Sequence, residues 1–495
     1  MPSIATTIWY AFVVAWGASL YQLFLKDLFA ITFGVGRVIQ SIDEFPEFSC
    51  SRLVHPRLEA CEDIWLDDHE RTLYAACAGT ADRLAWNQAM KDVNVTGRRP
   101  GGSELIALDI DEPGVDGFYN LRGIKPIGHY RGATGNSDLD LLGFDAHVLD
   151  DNTIRFYMVN QRPPVGAFNN IIDASKSGAN STIEIFEMRT GQEQMRHVRT
   201  IFSNEIWTPN RVSALADGSG GFLVTNDHSV KVGLRRKLDY VIGGGNVAYC
   251  DGAGNCHTAY DGSEDDDAVP STSSDEPMYK VYLKKALGYL PKSKLKFPNG
   301  LARGRDGFFY VPSAIDGQIR VLALQPDKTL RLVDTIHVGM PLDNISPDAN
   351  GDIYAAGFPN LIQSGKGFDD PYNQSSPVTI WRIRKTVDVG KSGVRSVDYR
   401  VEKVLEDRDS KVLSGSTTVR HDVKTGRLFI SGRSTIMVLE SYENDVLTFD
   451  SCGTPFPCRL RTDEMSVYAS ATNIQVGHEE RDSIYRSSSP ATLDI

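Results

Sequence analysis

The sequence predicts an all-β protein, a six-bladed β-propeller with an N-terminal hydrophobic helix. One pattern recurs six times: a polar residue, a short apolar strand, an Asp/Gly/Asn turn, and a second apolar strand ending in small residues. Helical periodicity is sparse after the N-terminus, and long connections separate the repeats. Hairpins repeated in this way are typical of propeller blades, whereas a β-sandwich of several hairpins is the alternative architecture. The six hairpins are residues 62–79, 147–160, 210–226, 299–313, 343–357 and 416–432.

The chain begins with an apolar segment that carries no charge over the 22 positions from Ile4 to Leu25. As a helix, this segment is long enough to span a bilayer. No basic residue precedes it, and the small residues at 17–19 resemble a cleavage site only loosely. We therefore predict an uncleaved signal anchor over residues 1–30. A cleaved signal peptide and a buried core helix are the alternatives.

Three acceptor sequons agree with entry into the secretory pathway. They begin at Asn94, Asn180 and Asn373. A propeller in the lumen or outside the cell, either anchored in the membrane or secreted, would carry its glycans there. The net charge of −12 and the sequence pI near 5.4 argue against a nucleic-acid partner, which would require a basic surface.

The seven cysteines are too few and too scattered for a disulfide scaffold, and no C-x-x-C motif suggests zinc. Cys250 and Cys256 flank a short loop, as do Cys452 and Cys458, so each pair could close locally in an oxidising compartment. With an odd number of cysteines, one stays unpaired within the chain.

The repeats place the propeller at residues 45–440. The longest insertion is near residues 229–296, where an acidic polar run at 262–277 predicts a mobile surface loop and residues 278–290 predict an amphipathic helix. Residues 441–495 form a C-terminal extension that we expect to be partly disordered.

Polar residues occupy one phase of the repeats, at or before the first strand of each hairpin. In a propeller the innermost strands line the central channel, so these residues converge at one end of it. Carboxylate and amide oxygens without thiolates suit calcium, whereas magnesium demands stricter octahedral geometry. Capping of turns is the alternative role for each residue alone. The residues are Glu62, Asp63, His147, Asn210, Asn299, Asp343, Asn344 and Ser416.

Four motifs give the chain a resemblance to the paraoxonase/arylesterase family of calcium-dependent six-bladed propeller hydrolases. They are EDIWL at 62–66, TNDHS at 225–229, FPNGLA at 297–302 and LDNISPD at 342–348, in the family's order. The resemblance spans roughly residues 45–440. It implies a catalytic calcium held by Glu62, Asn210, Asn299, Asp343 and Asn344.

The resemblance also implies a second, structural calcium on Asp63 and a backbone carbonyl near Leu149, and a catalytic histidine at His147. Cys50 matches an N-terminal half-cystine, for which Cys452 or Cys458 would have to serve as partner.

Two departures from the family pattern concern the site. Arg211 stands where the family has an acid, and a guanidinium cannot ligate a cation, so the second calcium is in doubt. Gln161 replaces the histidine that partners the catalytic one. His147 would then act as a base alone, with Glu62 or Asp343 as its substitute.

The resemblance implies a hydrolase of small esters, lactones or phosphotriesters, in which water attacks a carbonyl polarised by calcium. One alternative is a biosynthetic lactonase or cyclase similar to the gluconolactonase and strictosidine-synthase propellers. Another is a membrane-anchored binding propeller without catalysis. The buried charged ring argues against the last, since a scaffold has no need of one.

Overall fold

The computed structural model describes residues 4–115, 117–150, 152–263, 295–389, 395–412, 414–433 and 436–441. These residues form 26 strands, and five α-helices accompany them. The strands are β1 (Phe48–Leu53), β2 (Cys61–Asp67), β3 (Thr72–Cys77), β4 (Trp86–Asn87), β5 (Asp92–Val93), β6 (Glu104–Asp109), β7 (Arg122–Ile127), β8 (Leu141–Asp150), β9 (Thr153–Asn160), β10 (Thr182–Arg189), β11 (Gln194–Ile201), β12 (Pro209–Ala214), β13 (Phe222–Asn226), β14 (Asn246–Cys250), β15 (Cys256–Tyr260), β16 (Ala302–Arg303), β17 (Phe309–Pro312), β18 (Gln318–Leu324), β19 (Leu330–His337), β20 (Leu342–Pro347), β21 (Ile353–Gly357), β22 (Val378–Val389), β23 (Arg395–Asp407), β24 (Ser416–Asp422), β25 (Arg427–Gly432) and β26 (Ile436–Ser441). The α-helices are α1 (Ile4–Leu20), α2 (Thr80–Ala85), α3 (Ala174–Ser177), α4 (Leu234–Ile242) and α5 (Leu361–Asp369). Short 3-10 turns cover Ile42–Glu44, Pro56–Leu58, Gln88–Met90 and Val95–Gly97, and π-helical turns cover Tyr21–Leu25 and Leu28–Thr32.

Twenty-four of the strands form antiparallel units of four, and β4 and β5 pair as a separate two-stranded sheet. Four sheets are four-stranded: β1-β26-β25-β24, β12 to β15, β16 to β19, and β20 to β23. A larger sheet has eight strands in the order β2-β3-β6-β7-β11-β10-β9-β8. Its two antiparallel halves meet where β7 and β11 pair in parallel over three residues each. Six separate sheets were expected, and the difference arises because an unpaired outer edge is a ready partner for another edge.

The sheets are arranged in a ring. The first strands of the four-stranded units, β2, β8, β12, β16, β20 and β24, contact one another in that order, and β24 contacts β2 again. Strand β1 from the start of the chain pairs with β26 and so closes the last sheet. Apolar side chains fill the spaces between neighbouring sheets, as where Ile64 and Leu73 pack with Phe429 and Val438. The structure therefore confirms an all-β, propeller-like ring.

The N-terminal helix is present as α1, which the two π-helical turns follow. Within the described part of the chain, no helix is both long enough and apolar enough to cross a membrane. The signal anchor over residues 1–30 stays a prediction.

The predicted insertion at 229–296 is wrong for its first half, which contains α4 and the outer strands β14 and β15. The acidic run at 264–277, the helix predicted at 278–290 and the extension from residue 442 lie outside the described residues.

Disulfides link Cys250 to Cys256, as predicted, and Cys61 to Cys77, which was not predicted. Each bond joins directly paired residues of adjacent antiparallel strands. Cys50 is disulfide-bonded as well, whereas Cys452 and Cys458 lie outside the described residues. Disulfides of this kind indicate an extracellular or secretory protein.

Candidate functional site

The first strand of each four-stranded unit is the inner strand of the ring. In five of these inner strands, the second residue lies at one end of the ring. In five hairpins the register between the inner strand and its neighbour shifts at the beginning of the inner strand. A bulge of this kind bends the strand and redirects its side chains. The residues that this geometry brings to a shared cavity are Glu62 on β2, Leu142 on β8, Asn210 on β12, Asp343 on β20 and Thr417 on β24, and Asn299 before β16 takes the sixth place.

The cavity measures about 440 Å³ and combines a polar end with apolar walls. Thr32, Asn87 and Arg433 add further polar groups. The walls come from the N-terminal π-helical turn, α4, α5 and the loops over the ring: Leu28, Phe33, Ala89, Met90, Leu142, Tyr240, Phe297, Ala314, Ile315, Phe358, Leu361, Ile362, Gly365 and Phe368. A concave apolar site with a few convergent polar groups is typical of a small-molecule site.

We call Glu62, Asn210, Asn299, Asp343 and Asn344 the oxygen cluster. The Oδ1 atoms of Asn299, Asp343 and Asn344 are buried and accept no hydrogen bond within the described residues. An unsatisfied buried acceptor is costly, so these oxygens call for a donor or a cation.

The donor set of the oxygen cluster suits calcium. Its members offer only carboxylate and amide oxygens, which are the ligands that calcium takes with flexible geometry. The described residues include no group of three or more His, Cys, Asp or Glu placed to hold a metal. The cluster is instead two carboxylates, Glu62 and Asp343, together with three amides. The residues present therefore fit a calcium ion.

The two carboxylates oppose each other's ionisation. Burial, together with the charge of Glu62, raises the pKa of Asp343 well above its ordinary value. Burial also raises the pKa of Glu62, against the opposing effects of Arg83 and Arg433. A divalent cation between the two groups would offset both charges.

Hydrogen bonds between blades hold the oxygen cluster in place. The backbone carbonyl of Glu62 accepts from Thr417 Oγ1 at 2.8 Å, Thr418 Oγ1 at 2.9 Å and Asn344 Nδ2 at 3.4 Å. A Cβ at Gly300 would meet the Cα of Asn344 at 2.9 Å, so glycine allows the close approach of these two segments. Side-chain positions fixed in this way are what a metal site needs.

The residues do not fit the second calcium that the family resemblance implies. The Nη2 atom of Arg211 lies 3.0 Å from Oδ1 of Asp63, and both side chains are fully buried. Asp63 also accepts the backbone N–H groups of Ile64 and Phe144 at 2.9 and 3.0 Å. The guanidinium thus supplies the positive charge beside Asp63, whereas the ligand at the backbone carbonyl near Leu149 stays a prediction.

His147 does not line the cavity, contrary to the prediction. Strand β8 already begins at Leu141, so its cavity end carries Leu142 and not His147, which is five residues further along. The prediction for Ser416 is one residue away from the cavity position. Ser416 is the first residue of β24, and the second residue, Thr417, lines the cavity. No histidine contributes to the cavity wall within the described residues.

Asn87 and Arg433 line the cavity but were not predicted, because they lie outside the first strands of the repeats. Oδ1 of Asn87 is buried and has no hydrogen-bond partner among the described residues. Gln161 supports this segment: its Oε1 accepts the backbone N–H of Gln88 at 3.1 Å, and its carbonyl accepts Trp86 Nε1 at 2.6 Å. Gln161 therefore positions a cavity loop rather than pairing with a catalytic histidine.

His228, from the TNDHS motif, supports the apolar wall from behind. Its Nδ1 lies 2.7 Å from Oδ1 of Asp227, and both residues are buried. Its ring packs edge-to-face on Phe297, with the centroids 4.7 Å apart, and also against Tyr240. Both aromatic neighbours line the cavity.

Comparison with known proteins gives a partial match. The sequence model of the arylesterase family matches residues 292–437, which is less than half of the chain. No curated protein matches. Similar solved structures include a gluconolactonase from Xanthomonas campestris, with 12% identity over 79% of this chain and 88% of that chain and a TM-score of 0.40. A luciferin-regenerating enzyme has 10% identity over 80% and 96% with a TM-score of 0.41, and virginiamycin B lyase from Staphylococcus aureus has 9% over 79% and 99% with a TM-score of 0.36.

Proposed function

We propose that this protein is a calcium-dependent hydrolase of small esters or lactones, built on a ring of six blades of which two share the eight-stranded sheet. One observation carries the proposal: the buried side-chain oxygens of Asn299, Asp343 and Asn344 have no partner among the described residues, and four of the five members of the oxygen cluster line an otherwise apolar cavity. The partial match to the arylesterase family supports the same class of reaction.

Calcium, when bound by the oxygen cluster, would supply a Lewis acid for the substrate's carbonyl oxygen. The chain's own residues accept the proton and bind the substrate. Glu62 and Asp343 are the carboxylates that line the cavity among the described residues, so one of them accepts the proton of the attacking water. The apolar walls bind the substrate's body and exclude bulk water.

A panel of lactones, aryl esters and phosphotriesters tests this function. Each compound is assayed with purified full-length protein in calcium, after chelation and after calcium is restored. We expect hydrolysis of an ester or lactone that chelation abolishes and calcium restores. Turnover that survives complete chelation would contradict the proposal.

The matched variants are Asp343→Asn and Asp352→Asn. The first removes one of the two cluster carboxylates at constant size, so calcium affinity and turnover should both collapse. The second removes a carboxylate from the same sheet, beside Arg382 and away from the cavity, and should leave calcium affinity unchanged. Normal calcium binding and full activity in Asp343→Asn would mean that Asp343 only shapes its turn.

A further inference from the structure

Arg433 faces the cavity from the end of β25, and its side chain is not part of the oxygen cluster. The residue is 7% exposed. Its backbone is fixed on two sides, since its N–H donates to the carbonyl of Gly415 at 3.2 Å and its carbonyl accepts Thr80 Oγ1 at 3.1 Å. The fold therefore holds a guanidinium against the cavity in a defined place.

The guanidinium of Arg433 has few protein partners. Among the described residues it donates to one acceptor, the backbone carbonyl of Phe368, and it lies over the ring of Phe368 with 4.7 Å to the centroid. It forms no ion pair with a carboxylate of the described chain. A guanidinium has five donors, so donors remain for a ligand. The carboxylates of Glu62, Asp92 and Asp369 act on its charge without forming an ion pair with it, so the remaining donors can bind a further anionic group.

The charge of the cavity indicates the kind of anion. Glu62 and Asp343 are the carboxylates among its lining residues, a calcium ion would offset both, and one cationic side chain, Arg433, remains among those lining residues. A carboxylate carries one negative charge and balances it. A phosphate monoester carries about −1.5 to −2 at neutral pH and would leave an excess. The remaining walls are apolar, so the rest of the ligand is apolar too.

We propose that Arg433 determines specificity by binding a carboxylate on the substrate. The substrate class is then an ester or lactone with an apolar body and a separate carboxylate, held by paired N–H donors of the guanidinium. This inference rests on the proposed hydrolase function for the reaction, but it has a binding test of its own.

The binding test compares 4-phenylbutyrate with its neutral isostere 4-phenylbutyramide by calorimetry on the full chain in calcium. We expect the carboxylate to bind more tightly by about tenfold or more. Arg433→Met should abolish this preference, and Arg433→Lys should retain part of it, because the charge stays while the paired donors are lost. Arg400→Met, at an exposed position outside the cavity, is the matched control and should behave as wild type.

The kinetic test compares mono-4-nitrophenyl glutarate with its methyl ester. For Arg433→Met, kcat/KM should fall for the anionic ester by about tenfold more than for the neutral one. Equal losses for both would assign Arg433 to general transition-state stabilisation and overturn the proposal, as would an unchanged carboxylate preference in binding. A carboxylate preference that depends on Arg433, in a protein that hydrolyses no ester or lactone, would refute the hydrolase function alone.

Discussion

At the scale of single residues, the guanidinium of Arg211 supplies the positive charge beside the buried carboxylate of Asp63. A buried ion pair contributes little net stability compared with apolar residues of the same shape, but removing one partner leaves an uncompensated charge. Arg211 and Asp63 lie beside the oxygen cluster without lining the cavity. Their ion pair therefore supplies the counter-charge of Asp63, and we predict one bound calcium instead of two.

The first prediction concerns this ion pair. Arg211→Ala should lower the free energy of unfolding by about 3–5 kcal/mol, because the buried Asp63 loses its ion-pair partner. Urea denaturation measures the loss, and Arg400→Ala, at an exposed site, should change the free energy of unfolding by about 0.5 kcal/mol or less.

Metal analysis of the wild type should give one tightly bound calcium. Two equivalents would show that Asp63 ligates a cation beside Arg211.

The second prediction concerns His147, which the sequence suggested as a base. Because its side chain does not reach the cavity, His147→Gln should change kcat/KM by no more than about threefold on a substrate that the wild type hydrolyses. Leu142→Asp should be the contrasting variant, since it places a third carboxylate at the cavity and should alter calcium affinity. A loss of about 100-fold in His147→Gln would restore the histidine as the base.

At the scale of elements, strand length decided which site residues the sequence could identify. In the short inner strands β2, β12 and β20, the polar residue that opens the hairpin pattern is the second residue of the strand and lines the cavity; these residues are Glu62, Asn210 and Asp343. Strand β8 is ten residues long, and its apolar beginning hides the cavity position at Leu142. Turn chemistry fixes the outer end of a hairpin but says nothing about where the inner strand begins.

The helices around the cavity mouth were also not predictable from local pattern. Helix α5 contains two glycines, which disfavour helix formation, and it forms because tertiary contacts hold its apolar side chains over the ring. The positions of Arg433 and Asn87 at the cavity also depend on contacts between distant parts of the chain, so the local sequence pattern does not predict them. The polar residues of the oxygen cluster could be singled out in the sequence because they repeat with the blades, whereas the residues of the cavity walls do not repeat.

The third prediction concerns the disulfide Cys61–Cys77, which links β2 and β3 directly beside Glu62. Replacing both cysteines by alanine should lower the free energy of unfolding by about 3 kcal/mol, since the bond closes a loop of 16 residues. The control is the Cys250–Cys256 pair, which closes a loop of six and should cost about 2 kcal/mol. Calcium affinity should weaken only in the first double variant. Equal effects on calcium would mean that the strand pair β2–β3 does not position Glu62.

At the scale of the whole molecule, the N-terminal part of the chain has two roles. It closes the ring through strand β1, and the segment before β1 lines the cavity. Pairing of β1 with β26 closes the ring, and the segment before β1 continues over the cavity. Leu28, Thr32 and Phe33 line the cavity, and Thr32 Oγ1 donates to the carbonyl of Ile315 at 2.9 Å. Arg37 fastens the same segment through the carbonyls of Pro359 at 2.6 Å and Gly339 at 2.7 Å. The N-terminus therefore has two parts, an apolar helix α1 and a segment that completes the cavity wall.

Two truncations separate these parts. Removing residues 1–20 deletes α1 and keeps every N-terminal residue that lines the cavity, so kcat/KM should change by no more than about threefold. Removing residues 1–38 also takes Leu28, Thr32, Phe33 and Arg37, so the apolar wall opens to water and KM for an apolar ester should rise by about tenfold or more. If residues 1–30 are the signal anchor, wild-type protein should stay in membrane pellets after high-salt and carbonate washes, whereas the shorter truncation, expressed with a cleavable leader, should be soluble. Recovery of a soluble mature chain that begins near residue 20 would show instead that α1 is removed as a signal peptide. An unchanged KM in the longer truncation would show that residues 21–38 do not contribute to substrate binding, although they line the cavity.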